Sequence, residues 1–160
     1  MRLFDEFQEA LAGIALRLAC GAPYVDGSAP TLLLPAARST AGARILYEQH
    51  GRAKNKYMKW SRVSFINDTT KYVLDPSNAF LAVCSANALV ISEMQAIRNR
   101  IAHRNTNSGT AFATVVGRHY GARLNAVSPG LLLLSPRFAP SMLETYIASC
   151  RVIIKECSKS

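Results

Sequence analysis

One short segment of the chain combines residue types that suit proton transfer at a phosphate ester. Arg98, Asn99 and His103 stand within six residues, in the run RNRIAH at positions 98–103. A histidine exchanges protons near neutral pH, and a guanidinium group binds two phosphate oxygens at once. Together they can activate a ribose 2′-hydroxyl group, stabilise a phosphorane and protonate the leaving 5′ oxygen without a metal ion. Arg98 and His103 are therefore candidate catalytic residues, and Asn99 a supporting one.

A long helix is predicted to position these residues. Asp75 is the expected N-cap, Pro76 the first helical residue, and the helix runs to about Arg104. Asn99 and His103, four apart, share the face opposite the apolar stripe, and Arg98 lies at the edge of that stripe. His103 falls in the last turn of this helix. The apolar positions are Phe80, Val83, Val90, Ile91, Met94, Ile97 and Ile101.

The rest of the chain is predicted to be mainly helical as well. Further helices are expected from about residue 2 to Ala19, from Ser39 or Thr40 to about Trp60 with Ile45 buried, from Thr110 to Arg118, and from Ser141 to Cys157. Segments 21–37 and 124–139 contain prolines and are expected to be loops whose leucines pack inward. Segment 61–74 is ambiguous and fits a short extended piece. The predicted fold class is a single all-α domain over residues 1–160, a bundle of four to five helices with irregular loops.

The charge of the chain favours polyanionic partners. There are 19 Lys and Arg against 10 Asp and Glu, which gives a formal net charge of +9. Between positions 38 and 62 the one acid is Glu48, and either an RNA-contacting face or a solvated helix face fits this run. Its basic residues are Arg38, Arg44, Arg52, Lys54, Lys56, Lys59 and Arg62. The candidate RNA-binding residues are Lys54, Lys56 and Lys59, together with Arg100 and Arg104 beside the motif.

Cysteine and histidine spacing does not indicate a metal site. The four cysteines are scattered without a CxxC pair, and the three histidines, including His119, do not cluster with them. We expect free, buried thiols in a reducing cytoplasm, a surface position for His119, and no metal or cofactor. No segment has 18 consecutive uncharged apolar residues, so a membrane span is not expected either.

The run RNRIAH resembles the R-x4-6-H motif of HEPN domains, including the variant with a polar residue directly after the arginine. HEPN domains are helical ribonucleases found among toxins and antiviral-defence proteins. The resemblance implies a symmetric homodimer, a composite active site with two histidines and two arginines, and metal-independent cleavage that leaves a cyclic phosphate. It also implies an antitoxin or defence-complex partner. Family toxins paired with a nucleotidyltransferase often carry a tyrosine two residues after the histidine, where this chain has Asn105.

Three functions are compatible with these observations. The first is a metal-independent endoribonuclease acting as a toxin or defence effector. The second is a non-catalytic HEPN module that binds RNA or a partner protein through its basic surface. The third is a DNA-binding or structural helical protein in which Arg98 and His103 are ordinary surface residues.

Overall fold

The regular elements of the structure, a computed structural model that describes residues 2–50, 58–122, 124 and 126–159, are all helices. The all-α fold class is therefore confirmed for this part of the chain, which contains eight helices where four to five were predicted. The one extended pairing within it is an isolated bridge between Leu32 and Leu74. The helices are α1 (Arg2–Ala19), α2 (Thr40–His50), α3 (Val63–Thr70), α4 (Ala79–Ala86), α5 (Ala88–Ala102), α6 (Thr106–Tyr120), α7 (Pro129–Leu134) and α8 (Met142–Cys157).

A single apolar core joins the helices. Nearly every helix contributes a side chain that is inaccessible to solvent, and these side chains belong to one cluster. Helix α5 packs on α6, and α8 packs on both α1 and α4. The motif helix α5 also contacts α1, α3 and α8, so it is held on several sides. The most buried members of the cluster are Leu11, Tyr47, Ile66, Phe80, Ile91, Val116, Leu132 and Ile153.

Several predicted helix ends are confirmed by the local backbone. Helix α1 ends at Ala19, followed by Gly21 in the left-handed region at φ 76°, which costs glycine little. Helix α8 begins after Ser141, whose hydroxyl and the Glu144 carboxylate form a reciprocal capping box. Helix α6 ends at Tyr120, two residues later than predicted, before Gly121 in the left-handed region, and it begins at Thr106 because Asn105 caps it.

The predicted long helix before the motif is wrong in two respects. It is broken at Asn87, where α4 and α5 are bent by 63°. The Asn87 amide donates to the Val83 carbonyl at 2.9 Å, which satisfies the end of α4 and favours the break. The cap is also different, because Asn78 accepts from the Phe80 amide while Asp75 accepts from Ser77. Both residues are good caps by type, and packing selects the later one.

Other predicted boundaries also change. Segment 61–74 contains α3 in place of an extended piece, and α2 ends at His50 well before Trp60, with residues 51–57 outside the described part. Ile45 and Ile101 were predicted to be buried but are exposed. Segment 124–139 contains α7, where Leu132 is buried as expected while Leu131 and Leu134 face solvent.

Among the described helices, none is by itself both long and apolar enough to cross a membrane. Helices α4 and α5 reach the length and apolar composition of a membrane span only when they are taken together, and they are bent by 63° where they meet.

The buried position of Leu11 makes it a sensitive test of the core. Leu11 is completely buried, whereas Leu134 is 66% exposed. We expect Leu11→Ala to lower the free energy of unfolding by about 2–5 kcal/mol through lost burial and a residual cavity. Leu134→Ala should change it by less than about 0.5 kcal/mol. Urea unfolding of both variants measures the difference, and equal destabilisation would contradict this core.

Candidate functional site

The RNRIAH motif lies at the turn between α5 and α6. Helix α5 ends at Ala102, and His103 is its C-cap residue with extended backbone angles of φ −133° and ψ 114°. The His103 amide donates to the Asn99 carbonyl at 2.8 Å, and the Ser108 hydroxyl donates to the His103 carbonyl. Asn105 accepts from the Ser108 amide at 2.9 Å and starts α6. The backbone of His103 is therefore held on both sides of the turn.

The imidazole of His103 is exposed at this turn. Its ring has no hydrogen-bond or ionic partner within the part of the chain that the structure describes. The prediction that His103 occupies the last helical turn is wrong by one residue, since the chain has already left the helix. His103 and Asn99, which were predicted to share a helical face, are joined here by the hydrogen bond from the His103 amide to the Asn99 carbonyl.

Arg98 projects from the opposite side of α5 toward α1. Its Nε atom is buried and lies 3.5 Å from an Asp5 carboxylate oxygen, an ion pair whose geometry is not that of a hydrogen bond. Its stem lines a small apolar pocket with Phe4, Met94 and Ile97. One third of the side chain remains exposed. The contact with Asp5 was not foreseen.

Asn99 lines a different cavity, a cleft between α5 and α6. This cleft has a volume of about 360 Å³ and includes Arg62, Gln95, Thr114 and Arg118. The Gln95 side chain is buried; its oxygen accepts from Arg62 Nε at 2.5 Å and its nitrogen donates to the Ser61 hydroxyl at 3.0 Å. We call this cavity the α5–α6 cleft.

Arg100 and Arg104 line a third surface, near the start of α7. They share a groove of about 520 Å³ with Ile101 and with Ser128 and Pro129. The Arg100 guanidinium group lies close to α6, because a Cβ atom at Gly109 would be in ordinary van der Waals contact with Arg100 Nη1, at 3.5 Å. The two arginines are thus neighbours, as the sequence indicated, and remain candidate RNA contacts.

The predicted site residues are therefore brought to different sides of α5. Arg98 faces α1, Asn99 faces α6, and Arg100 faces the α7 groove, because successive helical residues project 100° apart. His103 lies beyond the helix end. One copy of the chain does not gather these side chains into a single pocket among the described residues.

Of the remaining candidate RNA-binding residues, the structure describes Lys59 alone. Lys54 and Lys56 lie outside the described residues. Lys59 is exposed, and its ammonium group lies 5.3 Å from the centre of the Phe65 ring. Trp60 is buried and packs edge-on against Tyr47, so it belongs to the core.

A buried carboxylate beside the α5–α6 cleft was missed by the sequence analysis. Glu93 is only 4% exposed. One of its oxygens accepts from Arg118 Nη1, and the other accepts from the Tyr146 hydroxyl at 3.0 Å and lies 3.2 Å from His119 Nε2. Burial, together with the adjacent Glu93 charge, raises the pKa of Tyr146. The cluster links α5, α6 and α8.

His119 is accordingly not a surface histidine. Its side chain is 22% exposed and packs edge-on against Phe138. The signal in the sequence was Glu93 itself, an acid beside Met94 and within the apolar run from Val90 to Ile97. A buried acid requires donors, and the donors on α6 and α8 cannot be identified until the helices are docked.

All four cysteines are free, as expected, although Cys20 is only partly buried. Within the described residues, no group of three or more histidine, cysteine, aspartate or glutamate side chains is arranged to hold a metal ion.

Comparison of the chain with protein-family models, curated proteins and solved structures gives no match.

Removal of Arg118 is expected to leave one oxygen of the buried Glu93 carboxylate without its donor. Because Arg118 is itself 43% exposed, water will compensate in part, and we expect Arg118→Ala to cost about 1–3 kcal/mol of unfolding free energy. Arg151→Ala, an exposed arginine on α8, is the matched control and should cost less than about 0.5 kcal/mol. Urea unfolding of the two variants measures both values, and equal values would contradict the role given to Glu93.

The raised pKa of Tyr146 predicts a loss of stability at high pH. Above about pH 10 an unfolded tyrosine releases its proton while the buried one retains it, so the unfolding free energy falls as pH rises. Tyr146→Phe abolishes this proton release, so it should reduce the slope of unfolding free energy against pH by about one proton, which is about 1.4 kcal/mol per pH unit. Urea unfolding between pH 9 and 11 tests this, with buried Tyr47 retained in both proteins. Identical slopes would refute it.

Proposed function

We propose that this chain is a metal-independent endoribonuclease of the HEPN type, with Arg98 and His103 as catalytic residues in a homodimer. The observation that carries the proposal is the exposed imidazole of His103 on a turn whose backbone is hydrogen-bonded on both sides. A general base must reach the proton it removes, and an exposed imidazole on a turn with a hydrogen-bonded backbone is accessible to an RNA substrate. The net charge of +9 suits an RNA substrate.

Arg98 supports the proposal through its partly buried guanidinium group. Its stem is packed and its Nε atom lies near Asp5, while one third of the side chain remains exposed. A cation oriented in this way loses little freedom when it binds a phosphate oxygen. Asn99, the polar residue after the arginine in the family motif, lies on the α6 side of the same helix.

The proposed reaction is an internal transfer at phosphorus. The ribose 2′ oxygen forms a bond to the adjacent phosphorus as one His103 accepts its proton, and the bond from phosphorus to the 5′ oxygen breaks. The 5′ oxygen takes a proton from a second histidine, which leaves a cyclic phosphate and a free 5′-hydroxyl group. Arg98 stabilises the negative charge of the phosphorane.

The need for two histidines and the separation of Arg98 from Asn99 both favour a composite site. A second copy of the chain would supply the second His103 and would bring another Arg98 to the same cleft. A toxin or defence role, with an antitoxin or defence-complex partner, follows from the family resemblance and belongs to the proposal. Action in the cytoplasm likewise belongs to it.

The proposal predicts cleavage of RNA in EDTA that depends on the motif. Wild-type protein should cut total RNA and leave cyclic phosphate ends, and His103→Ala should reduce the rate at least about 100-fold. Arg98→Ala should have an effect of about the same size. The matched controls are His50→Ala, at the exposed end of α2, and Arg151→Ala on α8, and both should cut normally.

Equal cutting by all variants would place the activity elsewhere. A protein that stays monomeric at micromolar concentration in sedimentation, and yet cuts, would overturn the composite site. Binding of RNA with no cleavage by any protein would favour the second function, a non-catalytic RNA-binding module. That function is supported by the arginines that line the α5–α6 cleft and the α7 groove.

A further inference from the structure

We propose that the α5–α6 cleft binds a phosphodiester group of a single-stranded nucleic acid, held between the guanidinium groups of Arg62 and Arg118. This inference does not rest on the proposed cleavage, because binding of a strand requires no chemistry. It assigns a role to a cleft of about 360 Å³ that lies apart from the Arg98 pocket.

Arg62 is positioned for such a ligand. Its Nε atom donates to the buried Gln95 amide at 2.5 Å, and its guanidinium carbon lies 5.7 Å from the centre of the Phe65 ring. Within the described residues these are the contacts of its side chain, so both Nη atoms are available at the cleft. A guanidinium group anchored through Nε presents its terminal nitrogens as a fork that matches two phosphate oxygens.

Arg118 lies across the cleft on α6 and is held by the buried Glu93. Nη1 is bonded to the carboxylate, while 43% of the side chain remains exposed. Both Glu93 oxygens are already engaged, by Arg118 and by the Tyr146 hydroxyl with His119 beside it. The carboxylate is therefore not free to bind a cation. Two guanidinium groups against one carboxylate leave one net positive charge, which is complementary to one phosphodiester.

The other polar groups of the cleft favour a nucleotide strand over an isolated anion. The Asn99 amide, next to Gln95 on the cleft wall, can donate and accept hydrogen bonds, as the edges of nucleobases require. The volume is of the size that proteins use for small organic ligands and exceeds what a single phosphate ion needs. The strongly basic chain, at +9, would attract such a strand.

The first test measures binding of a strand that cannot be cleaved by 2′-hydroxyl attack. A fluorescein-labelled oligodeoxythymidylate of about eight nucleotides is titrated with the full-length protein and followed by anisotropy. We expect Arg62→Ala to weaken binding about five- to tenfold and to lower the slope of log K against log salt by about 0.7. Arg151→Ala should leave both values unchanged, and an equal loss in both variants would overturn the cleft as the site.

A second variant separates binding from folding. Ala111→Glu places a carboxylate at an exposed position of the cleft and leaves the bond between Arg62 and Gln95 intact. It should weaken strand binding as much as Arg62→Ala does, while Ala148→Glu, at an exposed position of α8, should have no effect. Normal strand binding by Ala111→Glu would overturn the proposal.

The source of the phosphate is tested by NMR of the Arg62 Nε–H group. The oligonucleotide should shift this signal at micromolar concentration, and inorganic phosphate should shift it only at much higher concentration. If inorganic phosphate saturates the signal and the oligonucleotide does not displace it, the cleft binds a small anion and the strand proposal fails. The two proposals can fail separately. If His103→Ala abolishes cleavage but Arg62→Ala binds the oligonucleotide normally, the cleft proposal is rejected and the nuclease proposal stands. If strand binding depends on Arg62 but the protein does not cleave RNA, the nuclease proposal is rejected and the cleft proposal stands.

Discussion

The buried carboxylate of Glu93 is the constraint on which the functional region depends. A charge removed from water must be paired, and here the pairing atoms come from α6 and α8. The contact holds α5 against α6 near the far end of the hairpin from His103. The α5–α6 turn and the α5–α6 cleft both belong to that hairpin, so their geometry follows from its docking. The polar cluster thereby selects one arrangement among those that apolar packing alone would allow.

The geometry of a helix explains why the motif does not form a pocket in one copy of the chain. Neighbouring helical residues project 100° apart, so Arg98 and Asn99 lie against different helices. The helical periodicity does not apply to His103, because helix α5 ends at Ala102. Its exposure and its hydrogen-bonded backbone come from the same turn, in which Ser108 and Asn105 satisfy groups that the helix ends leave unpaired. Assembly with a second copy is the simplest way to complete a site from side chains distributed in this manner.

Much of the fold could be predicted where local chemistry is decisive. Helix α1 ends at Ala19, before the left-handed Gly21, and α8 begins after the capping residue Ser141; both ends were predicted correctly. The break at Asn87 and the partial burial of His119 were not predicted. Asparagine is only weakly unfavourable in a helix interior, so the break depends also on how α4 and α5 pack against the rest of the core. His119 becomes partly buried because Glu93 and Phe138 meet it from other elements.

The sequence by itself determined that this is a basic, helical chain and that the chemically capable residues Arg98, Asn99 and His103 stand together near the end of one helix. Composition, helical periodicity and capping are local properties, so they can be read from neighbouring residues. Only the tertiary structure decided that Arg98 pairs with Asp5, that Glu93 is buried among Arg118, His119 and Tyr146, and that Arg62 borders the same cleft as Asn99. These contacts join residues that are between 25 and 93 positions apart, since Arg118 is 25 from Glu93 and Arg98 is 93 from Asp5. Which distant groups meet depends on how the helices dock, and that is set by the packing of the whole core.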